Sequence, residues 1–233
     1  MKKLTKAKKE KIKHFLMIAG VASAVSLLAL VIFVLVIQRV PIKTTKERKK
    51  DSLDYSQIEV EKPDISKKLL TENINSRPGT PLEEIKGIVV HYTANPGTNA
   101  KANRNYFESR KDCPDEGQYK VSSHFIIGLQ GSIIQCIPEN EIAYASNNRN
   151  SDTLSIECCH PDDSGKFTDE TYQSLVHLVS YLCDKYEIPV SQIIRHYDVT
   201  QKECPRYFVK YPEEWEKFHS DVTAYLKKKM VKQ

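Results

Sequence analysis

Phe15 to Ile37 is an uncharged run of 23 residues, and no other stretch of the chain constrains its fold so firmly. As a helix rising about 1.5 Å per residue it reaches roughly 35 Å, enough to cross a hydrocarbon core of about 30 Å. A cleaved leader has an apolar core of only about 7–15 residues that ends at a small-x-small site, whereas Ala22-Ser23-Ala24 lies in the middle of this run. The sequence therefore predicts one uncleaved membrane-spanning helix at 15–37. A basic segment, 1–14, precedes it, a linker at 38–65 follows, and one folded domain occupies 66–233 of the 233-residue chain.

Charge supports that division. Residues 1–14 carry a formal +6 and residues 38–50 a formal +5, while 51–233 sum to −6, so the overall +5 belongs to the flanks of the apolar run and not to the domain. Lysines beside an apolar span sit well at lipid headgroups. A mildly acidic domain has no electrostatic footprint for nucleic acid, and no nucleic-acid partner is expected. Because both flanks are basic, charge alone does not orient the span.

Beyond the linker, with its Pro41 and Pro63, apolar patterning predicts strands at 85–92, 121–129, 132–137, 153–158 and 193–197. The second and third form a hairpin around Gln130-Gly131. Thr168 is placed to cap a helix whose apolar positions 172, 175, 176, 179, 182, 183 and 186 follow a period of 3.6, and Pro212 opens a last helix carrying Trp215, Phe218, Val222 and Leu226 on one side. Strands interleaved with helices indicate an α/β fold: a single mixed central sheet flanked by helices.

Three predicted strand ends or adjoining loops carry ligand-type side chains: His91, His196 and Cys204. Two imidazoles and a thiolate suit tetrahedral zinc with one position left open, the pattern of catalytic and not structural zinc. By spacing alone the plainer reading, core histidines and a buried thiol, is favoured, because His91 and His196 stand more than a hundred residues apart.

The sequence resembles the zinc-dependent N-acetylmuramoyl-L-alanine amidase family, type 2, whose fold is shared with phage lysozyme-type amidases and peptidoglycan recognition proteins. The resemblance runs from about residue 75 to 209. Its motifs are Gly87-Ile-Val-Val-His91-Tyr-Thr, Val121-Ser-Ser-His124-Phe-Ile-Ile, Leu154-Ser-Ile-Glu157 and Arg195-His196-Tyr-Asp-Val-Thr-Gln-Lys202-Glu-Cys204-Pro205. It implies His91, His196 and Cys204 as ligands of Zn2+, Glu157 as general base and Lys202 as stabiliser of the oxyanion. It also implies His124 as a residue near the site, in substrate binding or behind the ligands, that does not touch the metal. Some relatives carry a tyrosine just before that histidine. Ser123 stands there here, which favours a glutamate–lysine mechanism over a tyrosine–lysine one.

The resemblance further implies a peptidoglycan hydrolase cutting between the muramoyl group and L-alanine. Its substrate exists only outside the cytoplasm, so residues 1–14 become a cytoplasmic tail and the zinc amidase domain faces the wall, as a monomer anchored in the cell membrane. Two other classes remain open on sequence: a non-catalytic peptidoglycan-binding receptor, and an anchor protein whose zinc is merely structural. The latter needs a fourth protein ligand, for which Cys158, Cys159 and His124 are the candidates. Cys183 lies on the apolar face of its helix, and adjacent Cys158 and Cys159 must point to opposite faces of their strand. His160 and His219 read as surface residues.

Overall fold

The computed structural model describes residues 53–230. The expected tail, membrane helix and most of the linker lie outside the described residues, and no helix among those described is long and apolar enough to cross a membrane.

The strands are β1 (Ile65–Lys67), β2 (Gly87–Tyr92), β3 (Phe125–Ile127), β4 (Ile133–Gln135), β5 (Thr153–Cys158) and β6 (Ile193–Arg195), and they form one six-stranded sheet in the order β1-β4-β3-β5-β2-β6. The helices are α1 (Ala100–Glu108), α2 (Asp169–Tyr186), α3 (His196–Thr200), α4 (Arg206–Lys210) and α5 (Pro212–Lys228). Strands β3, β5, β2 and β6 run parallel, while the β3–β4 hairpin is antiparallel and β1 lies parallel to β4. The sheet is thus mixed, as the sequence predicted. All six β2 residues are buried, as expected of a strand covered on both faces.

The alternation of side chains divides the core in two. Ile88, Val90, Leu154, Ile156 and Phe125 face a large cluster built with Leu175, Leu178, Val179 and Leu182 of α2 and Trp215, Phe218, Val222 and Leu226 of α5. Ile126, Ile134 and Cys159 face a smaller cluster with Ala100 and Phe107 of α1. Helix α2 starts where its sequence said: the Thr168 side chain accepts from the Thr171 N–H, with Asp169 and Glu170 in the first turn favouring its positive end. In the hairpin turn, Gly131 sits at φ +76, and a Cβ there would lie 2.6 Å from Ser174 Oγ and 2.9 Å from the Glu170 carbonyl oxygen, so only glycine fits.

Several expectations need correction. The packed domain begins before residue 66: Ile58 and Val60 are in the core, Asp184 Oδ2 accepts from the Val60 N–H at 2.8 Å, and Tyr55 Oη donates to the Ile188 carbonyl at 2.9 Å. Residues 53–65 therefore form a strap over α2 and not a free linker. The strand expected at 121–129 is only three residues long, because Ser122 N–H bonds the Tyr144 carbonyl and His124 N–H bonds Ser155 Oγ instead of continuing the ladder. The strand expected to reach Tyr197 ends at Arg195, where Asp198 Oδ2 accepts from the Arg195 N–H at 2.9 Å and turns the chain into α3.

Candidate active site

The register of the parallel strands assembles the site. His91 on β2 pairs with Glu157 on β5, so both side chains leave the same face at the carboxyl ends of adjacent strands. On the other side of β2, Val90 pairs with Arg195, which sets His196, the next residue, beside His91. The two imidazole rings lie 4.7 Å apart between centroids. Cys204, in the loop between α3 and α4, brings Sγ to 3.8 Å from His91 Nδ1. The ligand atoms of His91, His196 and Cys204 all lie within 4.8 Å of one another, and all three residues are buried.

This donor set fits zinc: three N/S ligands converge, and no fourth protein ligand joins the group among the described residues. Cys158 packs into the large core and Cys159 into the small one, on opposite faces as expected, while Cys183, on α2, is buried in the large core. Both imidazoles of the cluster are held neutral, the state in which nitrogen can coordinate. Burial pushes His91 well below its usual value, helped by His196 and Lys202, and lowers His196 to about 4 with Lys202 adding to the effect. The Cys204 thiol is pushed up to about 12, by burial first and then by Glu157.

Glu157 stands beside the cluster with Oε2 shielded from solvent and without a hydrogen-bond partner. Burial raises its carboxyl to about 8, a shift opposed by the positive charge of Lys202. A buried carboxylate oxygen left without a partner in an apolar strand is costly unless something else meets it, which is the usual mark of a functional group. Lys202 is exposed on the loop after α3, yet its charge is felt by His91, Glu157, His196 and Cys204 alike.

His124 takes no part in the ligand group. Its Nδ1 accepts from the Ser155 N–H at 3.0 Å, and its Nε2 donates to the Glu141 carbonyl at 2.8 Å, so both nitrogens are spent inside the protein. Burial lowers it to about 4. It locks the start of β3 onto β5, on the sheet face that also carries Glu157. His160 is buried, not on the surface, with one nitrogen on the Asp162 carbonyl and Nε2 without a partner, and His219 is tied to the Ile193 carbonyl. Sequence reasoning also missed Ser146 and Asn147. Ser146 Oγ lies 3.2 Å from His91 Nε2 and Asn147 Oδ1 2.9 Å from His196 Nε2. The only signal was a polar Ser-Asn-Asn-Arg-Asn run that looks like any turn.

A mixed sheet with a His/His/Cys cluster and a carboxylate at the carboxyl ends of its parallel strands defines a candidate metal-dependent hydrolase. The family pattern Amidase_2, N-acetylmuramoyl-L-alanine amidase, matches residues 81–207, just over half of the chain. N-acetylmuramoyl-L-alanine amidase CwlL of Bacillus licheniformis is 34% identical over 179 residues, covering 72% of this chain and 49% of its own length. N-acetylmuramoyl-L-alanine amidase BlyA of Bacillus subtilis is 31% identical over 180 residues, with 68% and 47% covered. The structure of PlyL aligns at TM-score 0.59 and 25% identity, over 69% of this chain and 97% of that one. The catalytic domain of XlyA aligns at 0.57 and 25%, over 69% and 99%. The chain belongs to the N-acetylmuramoyl-L-alanine amidase family, type 2. It spans about half the length of the curated relatives it matches.

Proposed function

We propose that this protein is a zinc amidase that hydrolyses the bond between the muramoyl lactyl group and L-alanine in peptidoglycan. The observation that carries the proposal is the convergence of His91, His196 and Cys204 within 4.8 Å, beside a Glu157 whose Oε2 is buried and unpartnered. The names of the relatives support the substrate. A receptor without catalysis has no need of either feature, and a closed structural zinc lacks its fourth ligand among the described residues.

Zinc in that cluster supplies Lewis acidity toward the amide carbonyl and lowers the pKa of water. Glu157 accepts the proton of the attacking water and passes it to the departing amine of L-alanine; its elevated basicity suits both transfers near neutral pH. Lys202, exposed at the rim, offers a positive charge to the tetrahedral oxyanion. Ser146 and Asn147 take no acid–base role in this reading, since their side chains are engaged with Nε2 of His91 and of His196.

Turnover of a muropeptide by parent, Glu157→Gln and Lys202→Met proteins of equal zinc content tests this reading. Gln keeps the volume but cannot take a proton, so the variant should fold, hold zinc and lose about 10²–10⁴ in rate. Lys202→Met should lower turnover with metal in place. A Glu157→Gln protein working within a few-fold of the parent would remove Glu157 from the mechanism.

We further propose that the 15–37 segment anchors the protein with its domain on the wall side, supported by the length of the uncharged run and the basic residues flanking it. Protease added to wall-stripped cells should then remove the domain; complete protection would contradict the orientation.

A further inference from the structure

We propose that Asn147 is a positioning residue for the metal ligand His196: it fixes the ring so that Nδ1, and not Nε2, is presented to the metal. The inference rests on the zinc reading above and adds to it the support that aims one ligand.

The backbone of Asn147 lies at φ +53, in the left-handed region where glycine is the least strained residue and asparagine is tolerated. A turn that needed only this backbone would be served by glycine. Here the side chain is used: Oδ1 lies 2.9 Å from His196 Nε2. An amide oxygen only accepts, so Nε2 must carry the hydrogen and the lone pair is left on Nδ1. The reverse amide orientation would put the lone pair on Nε2, where Asn147 occupies it, and leave His196 unable to coordinate. Ser146 treats the other imidazole alike. Its Oγ contacts His91 Nε2 at 3.2 Å while His91 Nδ1 faces Cys204 Sγ at 3.8 Å.

The turn is itself held rigidly. Asn150 Oδ1 accepts from the N–H groups of both Ala145 and Ser146, Arg149 N–H bonds the Ser146 carbonyl at 2.9 Å, and Arg149 Nε reaches Asp152 Oδ1 at 2.7 Å. One braced turn ahead of β5 thus contacts the far nitrogens of both ligand histidines, as second-layer partners of metal-bound histidine do. Sequence motifs name the three ligands but not this turn, because its contacts span 55 and 49 residues.

Zinc dissociation constants, measured by chelator competition on the parent, Asn147→Gly and Asn147→Asp proteins, test the proposal. Glycine keeps the backbone and deletes the acceptor; aspartate keeps the acceptor and adds charge. Asn147→Gly should bind zinc about 10–100-fold more weakly. Its Co2+-substituted form should show altered ligand-field bands, and the unfolding midpoint of the metal-free protein should match the parent's. Asn147→Asp should hold zinc at least as tightly as the parent. Parent-like zinc affinity in Asn147→Gly, or a loss in Asn147→Asp equal to that in Asn147→Gly, would overturn the inference while leaving the zinc reading intact. So would a drop in metal-free stability that accounts for the lost affinity. A parent protein that binds no zinc at all would overturn both.

Discussion

Glu157 works against the fold that carries it. Burial raises its carboxyl to about 8, whereas an unfolded chain titrates it near 4.5. The folded state therefore holds the proton more tightly than the unfolded state. The stability linked to this proton is fully present below the unfolded value and is lost as pH rises through 4.5 to about 8. Glutamine stays neutral throughout and escapes that loss. In metal-free protein, Glu157→Gln should match the parent at the acid end and exceed it in alkaline solution. The ceiling is about 5 kcal/mol, and less because the partly exposed side chain finds some water. Urea unfolding of both proteins at pH 5 and pH 8.5 measures the gap; a gap that does not widen with pH would mean that the carboxyl is already solvated. The same burial that costs stability keeps the proposed base protonatable near neutral pH, so a stabilising change at this residue is expected to be a disabling one.

At the scale of elements, legibility followed the length of the pattern and the locality of the partners. Strands β2 and β5 and helices α2 and α5 were readable because their burial repeats over many residues and their caps are local, as Thr168 and Pro212 are. Helix α1 was not, since Ala100, Asn103 and Phe107 are its buried positions and one of these is polar, which leaves no apolar stripe to see. The strap at 53–65 read as a linker because Ile58 and Val60 stand among charges. What orders them is far away in sequence: Asp184 for the Val60 N–H, His177 for the Glu61 carbonyl and Ile188 for Tyr55. The site divides the same way. His91, Glu157, His196, Lys202 and Cys204 stand in motifs, and the register of β2 with β5 and β6 brings the first three together. His124, expected near the site but off the metal, ties β3 to β5 through Ser155 and bonds the Glu141 carbonyl, contacts that residue type alone does not reveal.

For the molecule as a whole, the three proposed metal ligands come from the end of β2, the start of α3 and the loop before α4, a spread of 113 residues between His91 and Cys204. The unfolded chain holds these donors apart, so the zinc reading predicts binding almost exclusively to the folded domain and stabilisation of it by mass action. At free zinc of 100 times the dissociation constant the gain is about 2.7 kcal/mol. For a domain of this size that corresponds to a midpoint roughly 5–10 °C higher than with excess chelator. The gain depends on pH with a definite sign. Cys204 is pushed up to about 12 in the metal-free site, so coordination must expel its proton, and at fixed zinc the stabilisation should be larger at pH 8 than at pH 6. His91→Ala, His196→Ala and Cys204→Ser proteins should each unfold at the same temperature with zinc or chelator. Thermal scans of parent and variants under both conditions decide the matter. A parent midpoint unmoved by chelator, in protein shown to have carried zinc, would mean that the metal is held at the surface of a domain indifferent to it, and not at the junction of β2, α3 and the α4 loop.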